Sequence, residues 1–129
     1  MIFAIAAVTS AMSTAVQAFQ SHLSTVSDLC QRANPNPRDL QGHFLTVQQL
    51  FQQQILPLGT DDAPNGPNLQ PVLTEMSRTL RLIAMDVAFL QTARQPHTRH
   101  QRQHQMLTKL TQLEAFTTNL QQTLSQGQG

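Results

Sequence analysis

Residues 80–94, Leu80-Arg-Leu-Ile-Ala-Met-Asp-Val-Ala-Phe-Leu-Gln-Thr-Ala-Arg94, decide the fold. Leu80, Ile83, Val87 and Leu90 recur at alternating intervals of 3 and 4, the spacing that aligns side chains along one face of a helix. That line belongs in a core. Leu82, Met85 and Phe89 keep helical spacing but fall largely on the far side, where a helix with one buried face carries polar residues. The helix is therefore either covered on two sides or presents an apolar strip for docking.

Comparable lines run through the rest of the chain. Met12, Val16, Phe19, Leu23, Val26 and Cys30 mark a first helix over roughly 3–33, which Asn34-Pro-Asn-Pro37 ends because proline lacks an amide hydrogen and constrains the residue before it. Leu40, Phe44, Val47, Phe51 and Ile55 mark a second over 38–56. The Asp-, Asn-, Gly- and Pro-rich stretch 58–68 reads as a long turn-rich loop. A third helix over 69–95 carries Leu69, Leu73, Met76 and then the line above, with Pro71 in its first turn, where proline is tolerated. A fourth over 97–125 follows Pro96 and becomes amphipathic only from Met106, through Leu110, Leu113, Leu120 and Leu124. Its first turns, His97 to Gln105, are wholly polar, so they either project from the core or cover it with side-chain stems. No β-type alternation of useful length occurs. The expectation is one all-α domain spanning 1–129, an elongated four-helix bundle with a flexible tail at 126–129.

Composition agrees. A chain of 129 residues buries roughly two-thirds of the surface its unfolded form exposes, enough for one core. The 8 Lys and Arg nearly balance the 7 Asp and Glu, so no global charge argues for nucleic acid. Much of the polarity comes from glutamine, a good helix former. The one cysteine, Cys30, cannot form an intramolecular disulfide and fits a reducing compartment; its place on an apolar line reads as core. Ile2 to Val8 is apolar and Val16-Gln-Ala18 has the look of a cleavage site, but no Lys or Arg precedes the run and the helical line continues through it. The run is also too short to span a bilayer. A cytoplasmic location is expected.

Catalytic patterns are missing. A ferritin-like di-metal centre needs Glu-x-x-His pairs, and neither Glu75 nor Glu114 has a histidine three residues later. His100 and His104 stand one helical turn apart, with His97 one turn earlier, but no nearby Asp, Glu or Cys completes a metal site. There is no phosphate-cradling glycine loop, nucleophile elbow or pair of catalytic carboxylates. Asp86, set between Met85 and Val87, reads as an interhelical ion pair with Arg38 or with an arginine on the fourth helix. No catalytic residue, metal or cofactor is expected, and the chain reads as a non-enzyme.

Local charge says more than total charge. From Arg94 to Lys109 the ionisable residues are arginines, histidines and one lysine, and Arg78 and Arg81 flank the apolar strip. Arginine beside exposed apolar and aromatic groups is a common composition for protein interfaces. The basic run has no aromatic residue interleaved for base stacking, which argues against nucleic acid. The candidate partner-binding residues are Arg78, Arg81, Leu82, Met85 and Phe89, with Arg94, Arg99 and Arg102.

Two segments carry a family resemblance: Phe44 to Leu58 (FLTVQQLFQQQILPL), preceded by Asp39-Leu40, and Thr74 to Gln95, with Leu80-Arg-Leu-x-x-x-Asp86-Val-x-Phe89-x-x-x-Ala93-Arg-Gln95 the more specific. Over roughly 38–113 the chain resembles the cyanobacterial PatD proteins, named for control of heterocyst frequency. The resemblance implies a small cytoplasmic regulator that binds the tubulin-like division protein FtsZ and influences its filament assembly. Two other readings stay open: a self-associating bundle in which the second strip of the third helix forms a homodimer, and an exported bundle binding metal weakly through His97, His100 and His104.

Overall fold

Asn36 starts the second helix: its Oδ1 accepts hydrogen bonds from the N–H groups of Arg38 (2.9 Å) and Asp39 (3.3 Å), with Pro37 in the first helical position. The computed structural model describes the backbone of residues 2–63 and 65–126 and the side chains of 11–63 and 65–126. It contains four long helices, α1 (Ile2–Cys30), α2 (Pro37–Leu50), α3 (Gly66–Thr92) and α4 (Pro96–Gln126), and no strand among the described residues. At about 1.5 Å per residue, α1 and α4 are each roughly 45 Å long.

The helices close a ring in chain order: α1 packs on α2, α2 on α3, α3 on α4, and α4 back on α1. Cross-links show the antiparallel sense. Ser27 and Cys30 on α1 meet Glu114 and Gln103 on α4, and Gln91 near the end of α3 reaches Pro37 at the start of α2. The four predicted apolar lines converge on one core, and every residue of those lines from Met12 to Leu124 is buried. Phe19 and Phe51 meet there with ring centroids 6.1 Å apart. Thr117 fills the gap between Leu113 and Leu120, its hydroxyl donating 2.7 Å to the Leu113 carbonyl, so a polar residue sits in the core at no cost of an unpaired donor.

Helix boundaries differ from expectation for identifiable reasons. The first helix stops at Cys30 rather than near 33, its last turn tightening as the Arg32 N–H turns back to the Leu29 carbonyl. Regular α2 stops at Leu50; a widened π-helical turn (Phe51–Ile55) and a 3-10 turn (Leu56–Gly59) complete the segment. Pro57 has no N–H, and in a regular helix its ring would crowd the carbonyl of Gln53. The wider turn relieves this while keeping both Phe51 and Ile55 buried.

The third helix starts at Gly66, three residues early, which places Pro71 inside it. It follows Asn65 in the left-handed region (φ 60°). Gly66 cannot be replaced without movement here, because a Cβ would lie 1.8 Å from the backbone oxygen of Thr60. α3 ends at Thr92 rather than 95, and α4 runs to Gln126; the rest of the expected tail, 127–129, lies outside the described residues.

Candidate functional site

The eight candidate partner-binding residues separate into two groups. On the outward face of α3, Leu82 is 39% and Met85 64% exposed, flanked by exposed Arg78 and Arg81. Arg78 makes one loose ion pair with Glu75 at 3.8 Å, open to water on both sides and of little energetic value. Arg94, in the α3–α4 connection, is also exposed. These five residues present an apolar strip with a basic margin.

Phe89, Arg99 and Arg102 are partly buried and make contacts within the chain. Phe89 is half-buried, with the Arg102 guanidinium carbon 4.1 Å from its ring centroid, so the expected strip ends under a stacked cation. Arg102 Nη1 also donates to Asp86 Oδ1 at 3.1 Å, and Lys109 Nζ reaches the other oxygen at 2.7 Å. Asp86 therefore pairs with α4, through an arginine and the unexpected Lys109, and not with Arg38. Arg99 Nη2 donates 2.9 Å to the carbonyl of Ala93, just past the end of α3. That contact holds a carbonyl the helix leaves without an internal partner.

The polar start of α4 thus covers the core instead of projecting from it. Gln103 is buried, its Nε2 donating to the carbonyls of Cys30 (2.5 Å) and Arg32 (2.8 Å) at the end of α1. Of the two alternatives for this run, projecting or covering, the second holds: Arg99, Arg102 and Gln103 tie it to its neighbours, and Lys109 does the same farther along α4. Their spacing at one helical face was the available signal. Cys30 sits beneath this network and donates through Sγ to the Gln103 carbonyl at 3.6 Å. Burial pushes its thiol up to about 11, and the Asp86 carboxylate adds to the shift, so it is a poor nucleophile near neutral pH.

His97, His100 and His104 are exposed, and among the described residues no group of three or more His, Cys, Asp or Glu is placed to hold a metal ion. Among the same residues, no helix is long and apolar enough to cross a membrane.

Two exposed apolar residues escaped the sequence reading. Leu45 on α2 is 51% exposed and Leu56 in the 3-10 turn 38% exposed. Both border the seam beside α3, Leu45 near Ala84 and Ala88 and Leu56 near Arg81. Neither lies on a second helical line, so periodicity gave no sign of them. Compared with protein-family models, with curated proteins and with solved structures, the chain matches none.

Proposed function

We propose that this chain is a non-enzymatic cytoplasmic regulator of cell division that binds FtsZ and modulates its filament assembly, the function the PatD resemblance implies. One observation carries the reading: the segment bearing the more specific resemblance, 80–95, includes Leu82 and Met85, which face solvent beside Arg78 and Arg81. Apolar anchors with arginine neighbours favour a protein partner, with the arginines accelerating encounter and making it sensitive to salt. In filamentous hosts the same binding would connect division to heterocyst frequency.

Co-sedimentation with FtsZ and GTP across a salt series tests it. Wild type is expected to pellet with filaments at low salt and to be lost from the pellet as salt rises. Met85→Ser and Arg78→Glu change exposed groups only, and each is expected to weaken pelleting severalfold while leaving the circular dichroism unchanged. Arg102→Glu is unsuitable as a surface control, because it removes a partner of buried Asp86. Folded wild type that never pellets with FtsZ overturns the proposal. A molecular mass that rises with concentration and is reset by Met85→Ser would assign the strip to a homodimer instead.

A further inference from the structure

The seam between α2 and α3 holds three shallow depressions of about 330, 140 and 230 Å³ that run into one another, sharing Gln48 and then Ser77 and Arg81. Phe44, Val87, Leu80 and Phe51 give the groove an apolar floor, and Leu45 and Leu56 stand partly exposed along it. Gly42, Ala84, Ala88 and Ser77 keep its walls low. Small residues along a helix pair allow another backbone to approach closely, and a groove between antiparallel helices is the usual seat of an amphipathic helix.

Its charges are of one sign. Among the described residues, Arg38 and Arg81 are the only ionisable ones lining the three depressions, and neither makes an ion pair. Among the described residues no carboxylate lines the groove; Asp39 follows Arg38 in the chain, and Asp61 accepts from Gln70 at the far end. The Gln91 side chain reaches the Pro37 carbonyl, so Arg38 is level with the last turns of α3. Gln91 and Arg81 are ten residues apart on that helix, which sets the backbones of Arg38 and Arg81 about 15 Å apart along the groove.

We infer that the α2–α3 groove binds an acidic amphipathic helix of a protein partner, with two carboxylates ten or eleven residues apart meeting Arg38 and Arg81 and apolar side chains between them packing against Leu45, Ala84 and Ala88. Eleven residues make about three turns and return to the same helix face, and ten fall within about a quarter turn of it, so one helix can meet both arginines and the apolar floor. This surface shares Arg81 with the margin of the Leu82–Met85 strip but none of its apolar residues, and its occupancy does not depend on FtsZ being the partner.

The test is selection of random 18-residue peptides displayed on phage, on wild-type protein at low salt, with counter-selection on Arg38→Glu/Leu45→Asp shown to be folded by circular dichroism. The expected winners carry acidic residues ten or eleven apart, with apolar residues at helical spacing between them. A fluorescent synthetic winner should bind the double variant at least tenfold more weakly than wild type, bind Met85→Ser as it binds wild type, and lose affinity with salt. Winners without acidic residues, or winners that bind the double variant equally well, overturn the inference. So does a concentration-dependent molecular mass reset by Leu45→Asp, which would seat a second copy in the groove. Loss of FtsZ pelleting in Met85→Ser with peptide binding intact separates this surface from the one proposed above.

Discussion

Lys109 Nζ lies 2.7 Å from Oδ2 of Asp86, a carboxylate with no exposed surface. Arg102 holds the other oxygen from seven residues earlier on α4, so one carboxylate on α3 spans two turns of its neighbour and sets the register between them. Burying a lone carboxylate is costly, and two cations at hydrogen-bond distance offset that cost. Asp86→Asn keeps the shape but leaves two cations without their counter-charge. Both are partly exposed, at 31% and 25%, and can turn to water, so the expected loss is about 2–3 kcal/mol, just below the range for broken buried pairs. Urea unfolding measures it; a change below about 0.5 kcal/mol would show that the pair contributes little.

Phe89 was expected among the anchors of a docking strip, and its position under Arg102 makes it a stability residue. Phe89→Ala removes a half-buried ring and the stacked face of a guanidinium that also serves Asp86. The expected cost is about 1.5–3 kcal/mol, below that of a fully buried phenylalanine. Affinity for any partner of the outer strip should be unchanged once folding is accounted for. Equal stability with weakened binding would restore Phe89 to the interface.

The apolar lines were legible because burial repeats with the helical period, and each residue carries that signal alone. Pairing between helices has no such period. Which polar residue of α4 meets Asp86 depends on how α3 and α4 cross, and Lys109 becomes a partner only once that register exists. Asp86 could be recognised as an ion-pair residue from its apolar neighbours, but its partners could not be chosen. The π-helical turn at Phe51–Ile55 was hidden for a related reason: Pro57 signals an ending, while the core demand on both Phe51 and Ile55 decides its form. Exposure of Leu45 is a property of the α2–α3 seam, so the groove became visible only with both helices placed.

Cys30 gives a pH-dependent signature. Its folded value of about 11 lies above the ordinary thiol range. Between about pH 9 and 11 the unfolded chain therefore releases a proton that the native thiol retains. The native state then binds more protons, and stability falls as pH rises. The contribution is fully present below the unfolded value and is lost as pH climbs through the folded one. In urea unfolding, the stability difference between wild type and Cys30→Ala should be constant from pH 6 to 8 and should decline from pH 9 to 11 in the direction that disfavours wild type. A difference that stays flat to pH 11 would refute the raised thiol value.

Gln103 joins the end of α1 to the start of α4, and its role is decided by donors, since Nε2 gives both of its hydrogen bonds to carbonyls at and just past that end, those of Cys30 and Arg32. Gln103→Ala removes the bonds to the Cys30 and Arg32 carbonyls, and water can reach Arg32, which is exposed. The expected loss is about 1–2 kcal/mol, within the range for side-chain hydrogen bonds that leave a partly solvated acceptor. Gln103→Glu is the sharper comparison. A carboxylate in this place would turn acceptor oxygens toward carbonyl oxygens, and the residue is buried enough that water cannot fully separate them. Gln103→Glu should therefore be less stable than Gln103→Ala at neutral pH, although it is closer to glutamine in shape. The gap should narrow as the pH falls and the glutamate regains a proton to donate. If Gln103→Glu is instead as stable as wild type, the two carbonyls do not depend on a donor from α4, and α1 ends on water and its own 3-10 turn alone.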